Sequence, residues 1–180
     1  MAHAKTEIPS MKTSRTDLTA PVIMMGKAGV DYVLHKCKAQ TTNHVAIGDL
    51  VVWSTFPTTV EYCADNGLVI GIVPNTAFNL RALAVNNPTT QPLTKELFFD
   101  ATETIEVALP IHNILVSAKV EASSAITAGE CLMAGATGAI VANDDSSVGC
   151  GVAMAANTSG TGTDCIAMVL CPGNTLSTKT

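Results

Sequence analysis

Charge and aromatic side chains are both scarce in this chain. Asp, Glu, Lys and Arg make up 14% of its 180 residues and Phe, Trp and Tyr 4%, whereas an ordinary globular protein is about 25% charged. Hydrophobic residues reach 47%, so a surface with this little charge is expected to be partly covered, most simply by copies of the chain itself. Long apolar runs are also missing. Gly, Thr or Asp interrupts each run within about ten residues, short of the roughly 20 needed to cross a bilayer as a helix, and no membrane partner is expected. The opening segment MAHAKTEIPSMKTSRTDLTAP has cations but no apolar core, so a secretory signal is not expected either.

Cysteines are present without pairing signals. Positions 37, 63, 131, 150, 165 and 171 form no CxxC and no spaced Cys/His quartet, which a zinc site requires. Cys165 and Cys171 fall in one apolar run, DCIAMVLC; along a strand they stand about 20 Å apart, beyond disulfide reach. Six reduced thiols acting as small core hydrophobes are predicted, with no cofactor.

Charge is unevenly placed. Residues 1–38 hold six of the ten cations against Glu7, Asp17 and Asp31, a balance of +3, and the remainder holds four against twelve acids, or −8. An acidic body argues against nucleic acid as a partner. The basic leader reads as a flexible arm over residues 1–20, because it lacks apolar periodicity and Pro9 and Pro21 favour extended backbone. Its Lys5, Ile8, Met11, Lys12 and Arg15 are candidate contacts to a partner protein or a sister subunit. The body, residues 21–180, is expected to be a single domain.

Strand signals dominate the body. DYVLHKCKA, DLVVWS, GLVIGIV, ETIEVALPI, ILVSAKVEA, GAIVA, VGCGVAM and DCIAMVLC are short, rich in Val and Ile, and bounded by Gly, Asn, Asp, Pro or Ser. The predicted fold is all-β, a small barrel or sandwich, with helix confined to TAFNLRALAV and a second turn at LTKELFFDA. In the last strand Cys165, Ala167, Val169 and Cys171 face one way and Ile166, Met168 and Leu170 the other. Both faces want burial, one against the core and one against a sister subunit.

Shifting the sequence by 81 positions aligns two stretches without gaps. Val33-Leu34 meets Ile114-Leu115, Lys38 meets Lys119, Val45 meets Ile126, and Gly48-Asp49 meets Gly129-Glu130; one residue of slippage later, Gly71-Ile72 meets Gly151-Val152. The spacing predicts two related β motifs, 31–73 and 112–154, joined by an insertion over 74–111. In AIGD and TAGE the glycine suits a tight turn at positive φ, and the following carboxylate suits accepting backbone N–H groups. Gly48, Asp49, Gly129 and Glu130 are therefore candidate structural turns.

Catalytic patterns do not assemble. GCGVAM has Met154 in place of the third glycine of a dinucleotide loop, and neither a phosphate loop nor a GxSxG elbow occurs. His3, His35, His44 and His112 are scattered, and Asp144-Asp145 lack the acid spacing of a calcium loop and suit a hairpin turn. No enzymatic activity is expected.

The runs VALPIHN, VEASSAITAGECLMAGATGAIV and VGCGVAMAANTSGTGTDCIAMVLCPGN resemble the decoration, or cement, proteins of tailed-phage capsids. The resemblance lies in Leu109-Pro110 ahead of Ile126 to Glu130, the Gly-rich hairpin Gly135 to Val141, the strand Gly151 to Ala153, the turn Thr158 to Thr163 and the final strand Cys165 to Leu170. It implies a small, β-tulip-like barrel, made in the host cytoplasm, that binds the major capsid protein on the outer surface of the virion, commonly as a homotrimer, and reinforces the shell. The alternatives are a ligand-binding or enzyme-associated β module, or another virion component such as a fibre or tail protein.

Overall fold

The computed structural model describes residues 11–42, 44–64, 67–86, 93–143, 149–158 and 164–171. The expected turns at Asp144-Asp145 and, for the most part, at Thr158 to Thr163 lie outside these. Among the described residues the fold is all-β with one short helix. The apolar, β-branched segments form β3 (Tyr32–Ala39), β4 (Leu50–Thr55), β5 (Thr59–Tyr62), β6 (Gly71–Ile72) and β7 (Thr104–Pro110), which close a barrel in the order β3-β5-β4-β6-β7. A second sheet follows from β8 (Ile114–Lys119), β9 (Cys131–Ala134), β10 (Ile140–Ala142), β11 (Gly151–Ala153) and β12 (Asp164–Leu170), in the order β10-β9-β11-β12-β8. Two short N-terminal strands flank it: β2 (Ile23–Met25) pairs with β8, and β1 (Lys12–Ser14) with β12.

Both halves share one pairing scheme. Val51 opposes Gly71 and Tyr62 in the first, as Leu132 opposes Gly151 and Ala142 in the second. Leu34 and Ile72 both flank Ala108, as Leu115 and Val152 both flank Val169. The parallel contact Ala39–Val60 that closes the barrel recurs as the parallel bridge Val120–Ile140. The recurrence runs past residues 73 and 154, since β7, inside the stretch expected as an insertion, holds the place of β12. The offset falls from 80 at Gly71/Gly151 to 61 at Ala108/Val169, so the first half is longer between these strands. That extra length carries α1 (Ala77–Asn86). Thr76 caps it, its hydroxyl accepting from the Asn79 N–H. The buried Asn79 amide binds the backbone N–H and C=O of Glu106, securing the helix to β7.

The two Gly-acid turns are congruent. Gly48 and Gly129 both have φ +86°. Asp49 Oδ2 accepts from the Ala46 N–H at 2.7 Å, and Glu130 Oε2 from the Thr127 N–H at 2.7 Å. Gly48 donates to the Val73 carbonyl and Gly129 to that of Ala153, each at 2.8 Å. A second pair of glycines meets a different demand: a Cβ on Gly71 would lie 2.3 Å from the Ala108 carbonyl oxygen, and one on Gly151 2.1 Å from that of Val169. Strand approach at these points excludes a side chain.

One continuous core runs through both halves, from Val51, Val60 and Val107 to Val116, Leu132 and Met168. None of the six cysteines forms a disulfide, and four of them are buried. Burial pushes the Cys37 thiol up to about 12 and the Cys63 thiol up to about 11, with the Glu61 carboxylate adding to the second. The expectation for β12 needs correction. Cys165 and Ala167 are as buried as Ile166 and Met168, so that half of its second face is covered within the chain, while Val169 and Cys171 stay half-buried.

Gly129→Val has open space around its Cβ, so its cost is the backbone strain of a β-branched residue at positive φ, about 1 to 3 kcal/mol. Gly48→Val carries the same strain and also brings its side chain onto Lys119 and Lys95, whose carbons lie 3.7 and 3.8 Å from the Cβ position, so it is expected to cost at least as much, and urea unfolding of the two variants checks this. Equal stability to wild type would contradict the strain argument.

Candidate functional site

The arm residues that the structure describes are seated on the body. Lys5 and Ile8 lie outside the described residues. The Met11 carbonyl accepts from the Ala167 N–H at 2.8 Å, and β1 continues the pairing along β12. Lys12 Nζ stands 2.9 Å from Asp164 Oδ2 and donates to Asn157 Oδ1. Arg15 pairs with Glu96 at 3.2 Å and donates to the Val120 carbonyl, while its own carbonyl accepts from the Lys95 N–H. The expected loose arm through residue 20 is thus corrected from Met11 onward. The edge of β12 beside Asp164–Ile166 accepts a three-residue strand, too short to leave a periodic signal.

Where the two halves meet, charge is buried. Lys119 Nζ, at the end of β8, lies 2.6 Å from Asp49 Oδ1 in the first Gly-acid turn, with side chains 5% and 3% exposed. Burial pushes the Asp49 carboxyl up, opposed by the Lys119 ammonium and the Ala46 amide. Lys95 is wholly buried nearby, its ammonium 3.9 Å from Cys165 Sγ. Burial also raises the Cys165 thiol, against the pull of Lys95, Arg15 and Lys119. A cavity of about 210 Å³ opens beside the pair, lined by Arg15, His44, Tyr62, Glu96 and Phe98. The hairpin tip between β9 and β10 completes the junction: the Leu50 N–H donates to the Gly138 carbonyl at 2.8 Å, and the Gly138 N–H to that of Cys63 at 3.0 Å. These contacts hold position; among the described residues no three His, Cys, Asp or Glu side chains converge as a metal site.

Elsewhere the second sheet presents an apolar row. Cys131, Val152, Val169, Leu115 and Met25 oppose one another in turn across β9, β11, β12, β8 and β2. None of the five is fully buried, and Met25 is 65% exposed. Met25, Leu115 and Val169 line an open groove of about 430 Å³ with Met154.

The fold is similar to a phage head-fibre base. The solved structure, described as the head fiber gp8.5 N base in bacteriophage phi29, superposes with a TM-score of 0.50 at 16% identity, covering 81% of this chain and 99% of that one. No protein family and no curated protein matches the chain. At this identity the likeness is one of fold.

The sequence pointed to Asp49 and Glu130 as turn carboxylates but not to Lys119, Lys95 or the apolar row. Lys119 stood out only as the counterpart of Lys38. Lys119→Met leaves Asp49 buried without its cation, and a loss of about 3 to 5 kcal/mol is expected from denaturant unfolding. The double variant Lys119→Met with Asp49→Leu is expected to recover most of it. A Lys119→Met protein as stable as wild type would contradict a structural role for the pair.

Proposed function

We propose that this chain is a structural protein of a tailed-phage virion, one that binds the outer surface of the assembled capsid through the major capsid protein and reinforces the shell as a decoration protein. The observation that carries the reading is the fold shared with nearly the whole length of a head-fibre base. It agrees with the low charge and the acidic body read from the sequence. Copies of the chain associate, as homotrimers in this reading, and no chemical reaction is involved. A second reading, the base of a head fibre, is favoured by the neighbour's own description. In both, the protein works by attachment.

Attachment is assigned to the N-terminal residues ahead of β1. Lys12 and Arg15 already serve the body as ion-pair partners, so Lys5, Ile8 and Met11 remain to engage a capsid. Ordering such a segment costs about 1 to 2 kcal/mol per residue in backbone entropy, more than exposed charge contacts return. Apolar burial of Ile8 and Met11 has to supply the balance. Co-sedimentation of the purified protein with capsids lacking it tests the reading. Wild type is expected to pellet with the particles and raise their heat resistance. Deletion of residues 1–10 is expected to leave a folded body with weakened binding, and Ile8→Asp with Met11→Asp to do more harm than Lys5→Gln. Binding without added heat resistance selects the fibre-base reading, and no binding to the capsids overturns both.

A further inference from the structure

The contact that joins the two halves has a second, uncovered version. Within the chain the second half presents Lys119 and the β9–β10 hairpin tip, and the first half receives them at Asp49, Leu50 and Cys63. The shared register places a counterpart for each. Lys38 stands for Lys119, the β4–β5 tip carrying Phe56 stands for the Gly138 tip, Glu130 stands for Asp49, and Cys131 for Leu50. The first set is buried: Lys119 is 4% exposed, Asp49 2% and Leu50 0%. Its counterparts are not. Lys38 is exposed, Phe56 is 75% exposed at its tip, and Glu130 and Cys131 are half-buried.

We propose that a second copy of the chain docks head to tail on the first, its Lys38 and Phe56 tip meeting Glu130 and Cys131, and so repeats between chains the contact that joins the two halves within one. The occupant follows from charge and shape together. Glu130 is held by the Thr127 N–H as Asp49 is by that of Ala46, so its carboxylate is fixed for an incoming ammonium. Cys131 begins the apolar row of Val152, Val169 and Leu115, which supplies a surface for Phe56 to cover. A heterologous contact of this kind closes into a ring or continues as a filament. The inference rests on the self-association part of the proposed function and is independent of capsid attachment.

Sedimentation velocity on the full chain without capsids tests it separately from that attachment. Wild type is expected to associate across about 1 to 100 μM, and Lys38→Glu, Glu130→Lys and Phe56→Asp each to weaken association roughly tenfold or more. Lys38 and Phe56 are exposed, so thermal melts of their variants are expected to stay near wild type, whereas Glu130→Lys also gives up the bond from the Thr127 N–H and is expected to melt slightly lower while remaining folded. Combining Lys38→Glu with Glu130→Lys is expected to restore association, because the pair is reversed rather than removed. A monomeric wild type over that range, single variants that associate unchanged, or a double variant that does not recover would each overturn the inference.

Discussion

The ion pair between Asp49 and Lys119 is the contact on which the arrangement of the two halves turns. Two charges taken out of water are costly unless geometry is close and the remaining hydrogen bonds are met. Here the distance is 2.6 Å and the second carboxylate oxygen is held by the Ala46 N–H. One side chain therefore fixes a turn and a junction together. Its position needs Gly48 at positive φ, and the backbone exchange through Gly138 places the second half's hairpin over the same turn. An apolar contact could hold the halves together, but a hydrogen-bonded ion pair also sets their register, because the alternatives leave a charge buried and unpaired.

Sequence reasoning reached the parts of this fold that are local. TAFNLRALAV was expected to be helical, and α1 spans Ala77–Asn86, since ten residues bounded by prolines and a Thr cap carry their own signal. The conformation of Gly48 and Gly129 was readable because few residues other than glycine tolerate that φ. What stayed hidden is long-range. Asp49 and Lys119 are 70 residues apart, and no spacing rule connects them. The burial of Lys95 depends on strands that converge from distant segments. β1 was read as a loose arm because three residues carry no periodicity, and its order comes from the edge of β12.

The two halves differ where their surroundings differ. The longer first half spends its extra chain on α1 and buries Leu50, Ile72 and Ala108; the matching Cys131, Val152 and Val169 in the second half stay partly open. The same pairing scheme thus yields a covered face once and an available face once. One half completes the monomer, while the other leaves its apolar row open.

If the Asp49–Lys119 junction makes the halves one structural unit, they must unfold together. Differential scanning calorimetry of the whole chain tests this most directly. A single transition with equal calorimetric and van't Hoff enthalpies is the predicted result. Two resolved transitions, one for each half, would show that the junction joins independent domains and would contradict the account.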